Sequence, residues 1–154
     1  MKKATQIILL SVLLIACSEN KGSLSLEAAI IYKMNGPQPV ARVQFYLLDD
    51  DLKEILRGIA GDSAISKFTL ASLHPDTDAT FYSQALQLIK LHTIQSATTD
   101  FSGKAEFQPV KPKVYYIMGV TETRGGVAIW NLRTEIKPGK NGVVLDQNNA
   151  EFAF

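Results

Sequence analysis

Thr98-Thr99-Asp100-Phe101-Ser102-Gly103-Lys104-Ala105-Glu106-Phe107 is the stretch on which the fold turns. The Asp100 side chain can hydrogen-bond within its own turn, and Gly103 can take the positive φ that a tight hairpin needs. Residues on both sides follow period two, so 93–99 and 104–108 read as strands joined by that turn. Toward the C-terminus a Pro-containing bend at Lys111-Pro112-Lys113 leads into a strand over 114–121, and Arg124-Gly125-Gly126 turns the chain again. The next strand, 127–136, sets Ala128, Trp130, Leu132 and Ile136 on one face. Lys137-Pro138-Gly139-Lys140-Asn141 closes it before the apolar run Val143-Val144-Leu145.

Toward the N-terminus, Leu24, Leu26, Ala28, Ile30 and Tyr32 share one face of a half-buried strand, with Ser25 and Glu27 on the other. Asn35-Gly36-Pro37-Gln38-Pro39 supplies a turn, and 40–48 resumes the alternation, so these two strands are expected to pair antiparallel. Between 49 and 92 the period changes. Asp51, followed three residues later by Glu54, resembles a capping box, and Leu52, Ile55, Leu56 and Ile59 take helical spacing up to the limit set by Gly58 and Gly61. After a loop at His74-Pro75-Asp76, Phe81, Ala85, Leu88 and Ile89 line one side of a second amphipathic helix. The chain therefore reads as mainly β: about seven strands forming a sandwich, with an inserted helical pair at about 49–92.

Three segments carry a family resemblance: Val40-Ala41-Arg42-Val43-Gln44-Phe45, the hairpin 98–107, and Val110-Lys111-Pro112-Lys113-Val114-Tyr115-Tyr116. Together they resemble the carboxypeptidase-regulatory-like, or transthyretin-like (prealbumin-like), β-sandwich modules, in which a T-D-x-x-G-x-x-x-F hairpin leads through a Pro-containing bend to a Tyr-bearing strand. The resemblance covers roughly 24–48 and 93–146, while 49–92 departs from the compact module and Lys113 stands where those modules more often carry Gly. It implies a seven-stranded antiparallel β-sandwich that serves as an accessory, binding or linking domain and carries no shared catalytic residues.

The chain opens with Lys2 and Lys3, an apolar run over 7–16, and Cys17. That run is too short for a bilayer-spanning helix, which needs ~20 apolar residues, and it has the layout of a signal peptide at 1–16. Leu14-Ile15-Ala16-Cys17 resembles the bacterial lipobox, which implies lipidation (a palmitate-type modification) of Cys17 and a cell envelope location. Ser18 in place of Asp favours the outer membrane if the host is Gram-negative. Residues 18–23 read as a short polar tether and 24–154 as a single domain. Without 1–16 the chain has 138 residues with 14 basic and 15 acidic side chains, so no large electrostatic partner is implied, and no clustered basic face points to nucleic acid. With no second cysteine there is no disulfide, and packing must hold the fold.

Chemistry-bearing motifs are few. Asp49-Asp50-Asp51 lacks the spacing of a calcium loop and reads as helix capping; His74 and His92 lack zinc spacing, and His92 suits a helix C-terminus. No G-x-S-x-G elbow or phosphate loop occurs, so no catalytic residue, metal or cofactor is assigned. Aromatic side chains offer the best binding idea. Tyr115 or Tyr116 must point outward, and with Trp130, Asn131 and Arg133 could stack on and hydrogen-bond a sugar, unless Trp130 belongs to the core with Leu132 and Ile136. Phe152 and Phe154 read as docking on the domain or marking a partner edge. The expectation is a non-catalytic envelope lipoprotein, held to the membrane by its lipid and presenting a sandwich to a protein or glycan partner. The rival is an envelope hydrolase with its site between sandwich and insertion, which requires a pocket there with converging titratable groups of shifted pKa.

Overall fold

The structure, a computed structural model, describes residues 21–32 and 36–153, with the side chains of Phe152 and Ala153 outside that description. The signal peptide, Cys17, residues 18–20 of the tether, Asn35 and Phe154 also lie outside the described residues.

Nine strands and three α-helices occur among the described residues: β1 (Gly22–Tyr32), β2 (Gly36–Pro39), β3 (Gln44–Leu48), α1 (Leu52–Ala60), a 3-10 turn (Gly61–Ser63), α2 (Ala64–Leu73), α3 (Ala79–Leu91), β4 (Thr93–Thr98), β5 (Lys104–Val110), β6 (Val114–Thr123), β7 (Gly126–Glu135), β8 (Gly139–Leu145) and β9 (Ala150–Ala153). They form a mainly β sandwich. In sheet I, β1 is central, with β8 along one side and β5, then β2, along the other. Ala28 marks the changeover, donating to Gly103 O and accepting from Val40 N. Sheet II runs β4-β3-β6-β7-β9.

The strand count, nine instead of seven, differs for local reasons. The expected turn at 35–39 contains β2, whose Pro37 and Pro39 are tolerated because it lies at the margin of the sheet. The C-terminal tail pairs with β7 as β9, so its backbone docks on the domain. The expected pairing of 24–32 with 40–48 does not form. The partner of β1 is β2, and a turn around Arg42, with φ 59°, sends β3 into the other sheet. The expectation of wholly antiparallel sheets also fails at one pair, since β1 and β8 run parallel from Gly22↔Gly139 to Ala28↔Leu145. Finally, β1 already includes Gly22 and Ser23, so the polar tether is shorter than 18–23.

Gly103 takes φ 78° as the hairpin requires, and a Cβ there would collide with Ala28 O. Asp100 Oδ1 accepts from Ser102 N (2.8 Å), Ser102 Oγ (2.7 Å) and Lys104 N (3.0 Å), holding the loop from within. The buried Thr99 joins this loop to the Arg42 turn. Its hydroxyl donates to Val40 O at 2.6 Å and accepts from Val43 N at 3.0 Å.

Leu24, Leu26, Ala28, Phe45, Leu47, Phe107, Tyr115, Ile117, Trp130 and Leu145 fill the space between the sheets. A second core lies on the outer face of sheet II, where Leu48, Met118, Val127 and Ile129 meet Leu52, Leu56, Phe68, Phe81, Ala85 and Ile89 of the insertion. The molecule thus has three layers: sheet I, sheet II and helices. Both cores draw their buried residues from 24–145.

The insertion holds three helices instead of a pair. Helix α2 buries Ala64, Phe68, Thr69 and Ala71, a set mixing small and polar residues that leaves no clear apolar stripe in the sequence. Asp51 caps α1 by accepting from Lys53 N, as its position predicts. The reciprocal half of the capping box is absent: Glu54 pairs with Arg57 at 2.6 Å, and Asp50 Oδ1 takes the Asp51 N–H. The neck closes where Asp49 N donates to His92 O and the His92 ring meets Asp49 Oδ1 at 2.8 Å. His92 is the C-cap of α3, as expected.

Candidate functional site

The aromatic residues named from sequence do not gather into an exposed platform. Trp130 is 0% exposed, its ring centroid lies 5.6 Å from that of Phe45, and its Nε1 donates to Asp146 O at 2.9 Å. Tyr115, 1% exposed, faces the same core and donates its hydroxyl to Lys111 O at 3.0 Å; burial pushes its pKa up. Tyr116 points to the other face, where the helical layer meets it. The expectation that one of two neighbouring tyrosines must face solvent fails because sheet II is covered on both sides. Arg133 is exposed and sits opposite Tyr116 in the β6–β7 register, so of the four residues these two share a face without a free aromatic surface between them. A stacking site at Trp130 and Tyr115 is thereby ruled out.

Asn131, offered as a sugar partner, works instead as a splice between layers. Its Oδ1 accepts from Leu52 N at 3.2 Å and its Nδ2 donates to Asp51 Oδ1 at 3.0 Å, fixing the start of α1 on β7. Glu151 on β9 has its pKa raised, first by partial burial and then by the Asp51 carboxylate.

The gap between sandwich and insertion, where a hydrolase site was to lie, is packed with Leu52, Ile55, Leu56, Phe81 and Leu88. A groove of about 540 Å³ opens at its margin between α3 and β3, lined by Tyr46, Leu86, Ile89, Met118 and a single cation, Lys90. Its lining holds no carboxylate, imidazole or thiol, so it offers no pair of acid and base groups for hydrolysis. Among the described residues no group of three or more His, Cys, Asp or Glu is placed to hold a metal ion. Also among them, no helix is long and apolar enough to cross a membrane.

Among the described residues, no further layer covers the outer face of sheet I. A depression of about 720 Å³ lies on it. The strand register builds it in two rows: Gly142, Ser25 and Glu106 across β8, β1 and β5, then Val144, Glu27 and Lys104. Small residues make the floor, and Glu27, Glu106 and Lys104 raise charged walls. Asp100 lies at the rim, its carboxyl held below the usual range chiefly by the Lys104 backbone N–H, then by the Ser102 hydroxyl. This trough can hydrogen-bond hydroxyls, amides or cations of a partner from an otherwise flat sheet. No sequence motif marks it, because its residues come from three strands spread over 25–144 and meet only through pairing.

No family model and no curated protein sequence matches the chain. Solved structures show a distant similarity to the chain. A candidate carbohydrate-binding protein, PA1324 from Pseudomonas aeruginosa, is 14% identical, with 86% of this chain and 94% of that one covered and a TM-score of 0.45. The minor pilin GBS52 of Streptococcus agalactiae is 13% identical over 88% of this chain and 46% of its own, with a TM-score of 0.46. The pilus backbone protein RrgB of Streptococcus pneumoniae is 10% identical over 81% of this chain and 41% of its own, with a TM-score of 0.35. At these values the likeness carries no argument about function, and the sandwich assignment stands on the strands described above.

Proposed function

We propose that this chain is a non-catalytic envelope lipoprotein, anchored through Cys17, whose transthyretin-like sandwich presents the outer face of sheet I to a protein or glycan partner. One observation carries the reading: the helical insertion covers one sheet with apolar side chains, while the opposite sheet stays open and holds the polar trough around Ser25, Glu27 and Glu106. With Trp130 and Tyr115 buried, either class of partner would be held by hydrogen bonds and shape at this trough, not by ring stacking. The Leu14-Ile15-Ala16-Cys17 sequence supports the anchor, and Ser18 an outer-membrane address in a Gram-negative host.

Gly142 offers a clean test, because a Cβ at that position meets nothing within 4 Å. Gly142→Arg should fill the trough without disturbing the fold. In glycan arrays and in photo-crosslinking from position 144 on native membranes, it should weaken partner retention at least about tenfold, the loss expected when a buried polar contact set is broken. Unchanged retention by a normally folded Gly142→Arg protein would remove the trough as the site. Separately, Cys17→Ala should abolish fatty-acid labelling and release the protein from membranes, and persistence of both would refute the anchor.

A further inference from the structure

The formal charge is close to zero, but the fold distributes it unevenly. Gly22 pairs with Val110 at the end of β5 and with Gly139 at the start of β8, and Ile136 N donates to Lys113 O. These links bring the 111–113 and 136–141 loops to the pole of the sandwich where the described chain begins. Lys21, Lys111, Lys113, Lys137 and Lys140 are all exposed there, and none is in an ion pair among the described residues. Glu135 adjoins these loops in sequence, and β3 ends opposite the start of β6, with Leu48 at Tyr116, so the exposed Asp49 and Asp50 approach the same end of sheet II; five lysines against these three acids leave positive charge in excess. Lys113 Nζ lies 4.8 Å from the Tyr115 ring centroid, a contact that holds one ammonium at the rim. Between Lys21 and Lys140, over Gly22 and beside Pro109, lies a depression of about 550 Å³. The expectation of no clustered basic face missed this arrangement, since the five lysines come from separate stretches of sequence.

We propose that this lysine pole docks on anionic phospholipid headgroups and sets the orientation of the domain on the membrane. The proposal rests on the Cys17 anchor for its geometry. Only three residues separate Cys17 from Lys21, and four residue steps reach at most ~14 Å even when extended. That reach is comparable with the ~10 Å Debye length at 0.1 M salt, so the lysines would stay within the field of a charged membrane surface. A lipid anchor and a basic patch acting together hold a protein more firmly than either does alone. Docked in this way, the domain turns β1 away from the bilayer, and the trough of sheet I stands along its side.

The test uses the non-acylated chain from Ser18 to Phe154, which retains every buried residue of both cores, and cosedimentation with vesicles. The chain should bind vesicles of phosphatidylcholine with 30 mol% phosphatidylglycerol (about a third anionic lipid), release as salt rises, and ignore pure phosphatidylcholine. Gln at Lys111, Lys113, Lys137 and Lys140 should weaken binding on the order of a hundredfold, whereas Gln at Lys53, Lys67, Lys90 and Lys104 should change it little. If the first variant fails to fold, an environment-sensitive dye on Pro138→Cys, compared with Ser83→Cys on α3, gives the same answer in an otherwise native chain: only the first should respond to anionic vesicles. Equal binding to both vesicle types, equal loss in both variants, equal dye responses, or capture by a soluble oligonucleotide with no vesicle binding would each overturn the proposal. Because this chain lacks Cys17, failure here leaves the anchor standing, and failure of fatty-acid labelling leaves this result standing.

Discussion

The rings of Phe45 and Trp130 lie 5.6 Å apart, tilted by 49°, and both residues are register partners of Gly119 on the strand between them. The missing side chain at 119 is what admits the Phe45 ring, since a Cβ there would overlap it. Aromatic cover over a strand glycine restores the packing that the glycine forfeits.

Gly119→Ala should therefore overpack the centre of the sandwich and destabilise it by about 1–3 kcal/mol. Trp130 is the sole tryptophan and is fully buried, so urea unfolding followed by its fluorescence reports this directly. A variant with an unshifted midpoint would show that the ring moves aside without cost.

Thr99→Val keeps the volume nearly constant but leaves Val40 O and Val43 N without their side-chain partner. A loss of about 1–3 kcal/mol is expected, the penalty for stranding buried polar groups. Thermal melting checks it, and a change within about 0.5 kcal/mol would mean that neither group depends on the hydroxyl.

Asp100 gives a pH dependence whose sign follows from its lowered pKa. The folded state holds the ionised carboxylate more firmly than the unfolded chain, whose value is about 3.8. The resulting stabilisation is present in full above that value and is lost as pH falls through the lower folded value. Asp100→Asn keeps an acceptor for the turn but cannot titrate. Its stability should fall less steeply than that of wild type on acidification below pH 3.8, and parallel acid curves for the two proteins would contradict this.

Asn131→Leu tests the splice between β7 and α1. It strands Leu52 N and frees Asp51 from one partner, so a loss of about 1–2 kcal/mol is expected, concentrated in the helical layer. Hydrogen exchange should accelerate in α1 more than in β1, and uniform acceleration would point to global loosening instead.

Local chemistry was legible wherever one residue acts on its own neighbourhood. The Asp100–Gly103 turn, the Asp51 cap, the His92 terminus and the inward faces of β1 and β7 all behave as their spacing predicts. Pairing was not legible at the same level. Arg42 diverts the chain into the second sheet through a backbone state that few arginines adopt, and the parallel β1–β8 pair joins segments more than a hundred residues apart.

By itself the sequence determined a β-rich chain with a helical insertion after the first strands, a single cysteine directly after an apolar run, and a Trp130 on an apolar face. Only the tertiary structure decided what each face meets. Period two assigns Tyr115 and Tyr116 to opposite sides, but only the docking of α1–α3 on sheet II turns the second side into another core. The trough and the lysine pole arise in the same way, from side chains distant in sequence that strand register sets beside one another. Periodicity encodes which way a side chain points; what lies opposite depends on contacts made across the chain.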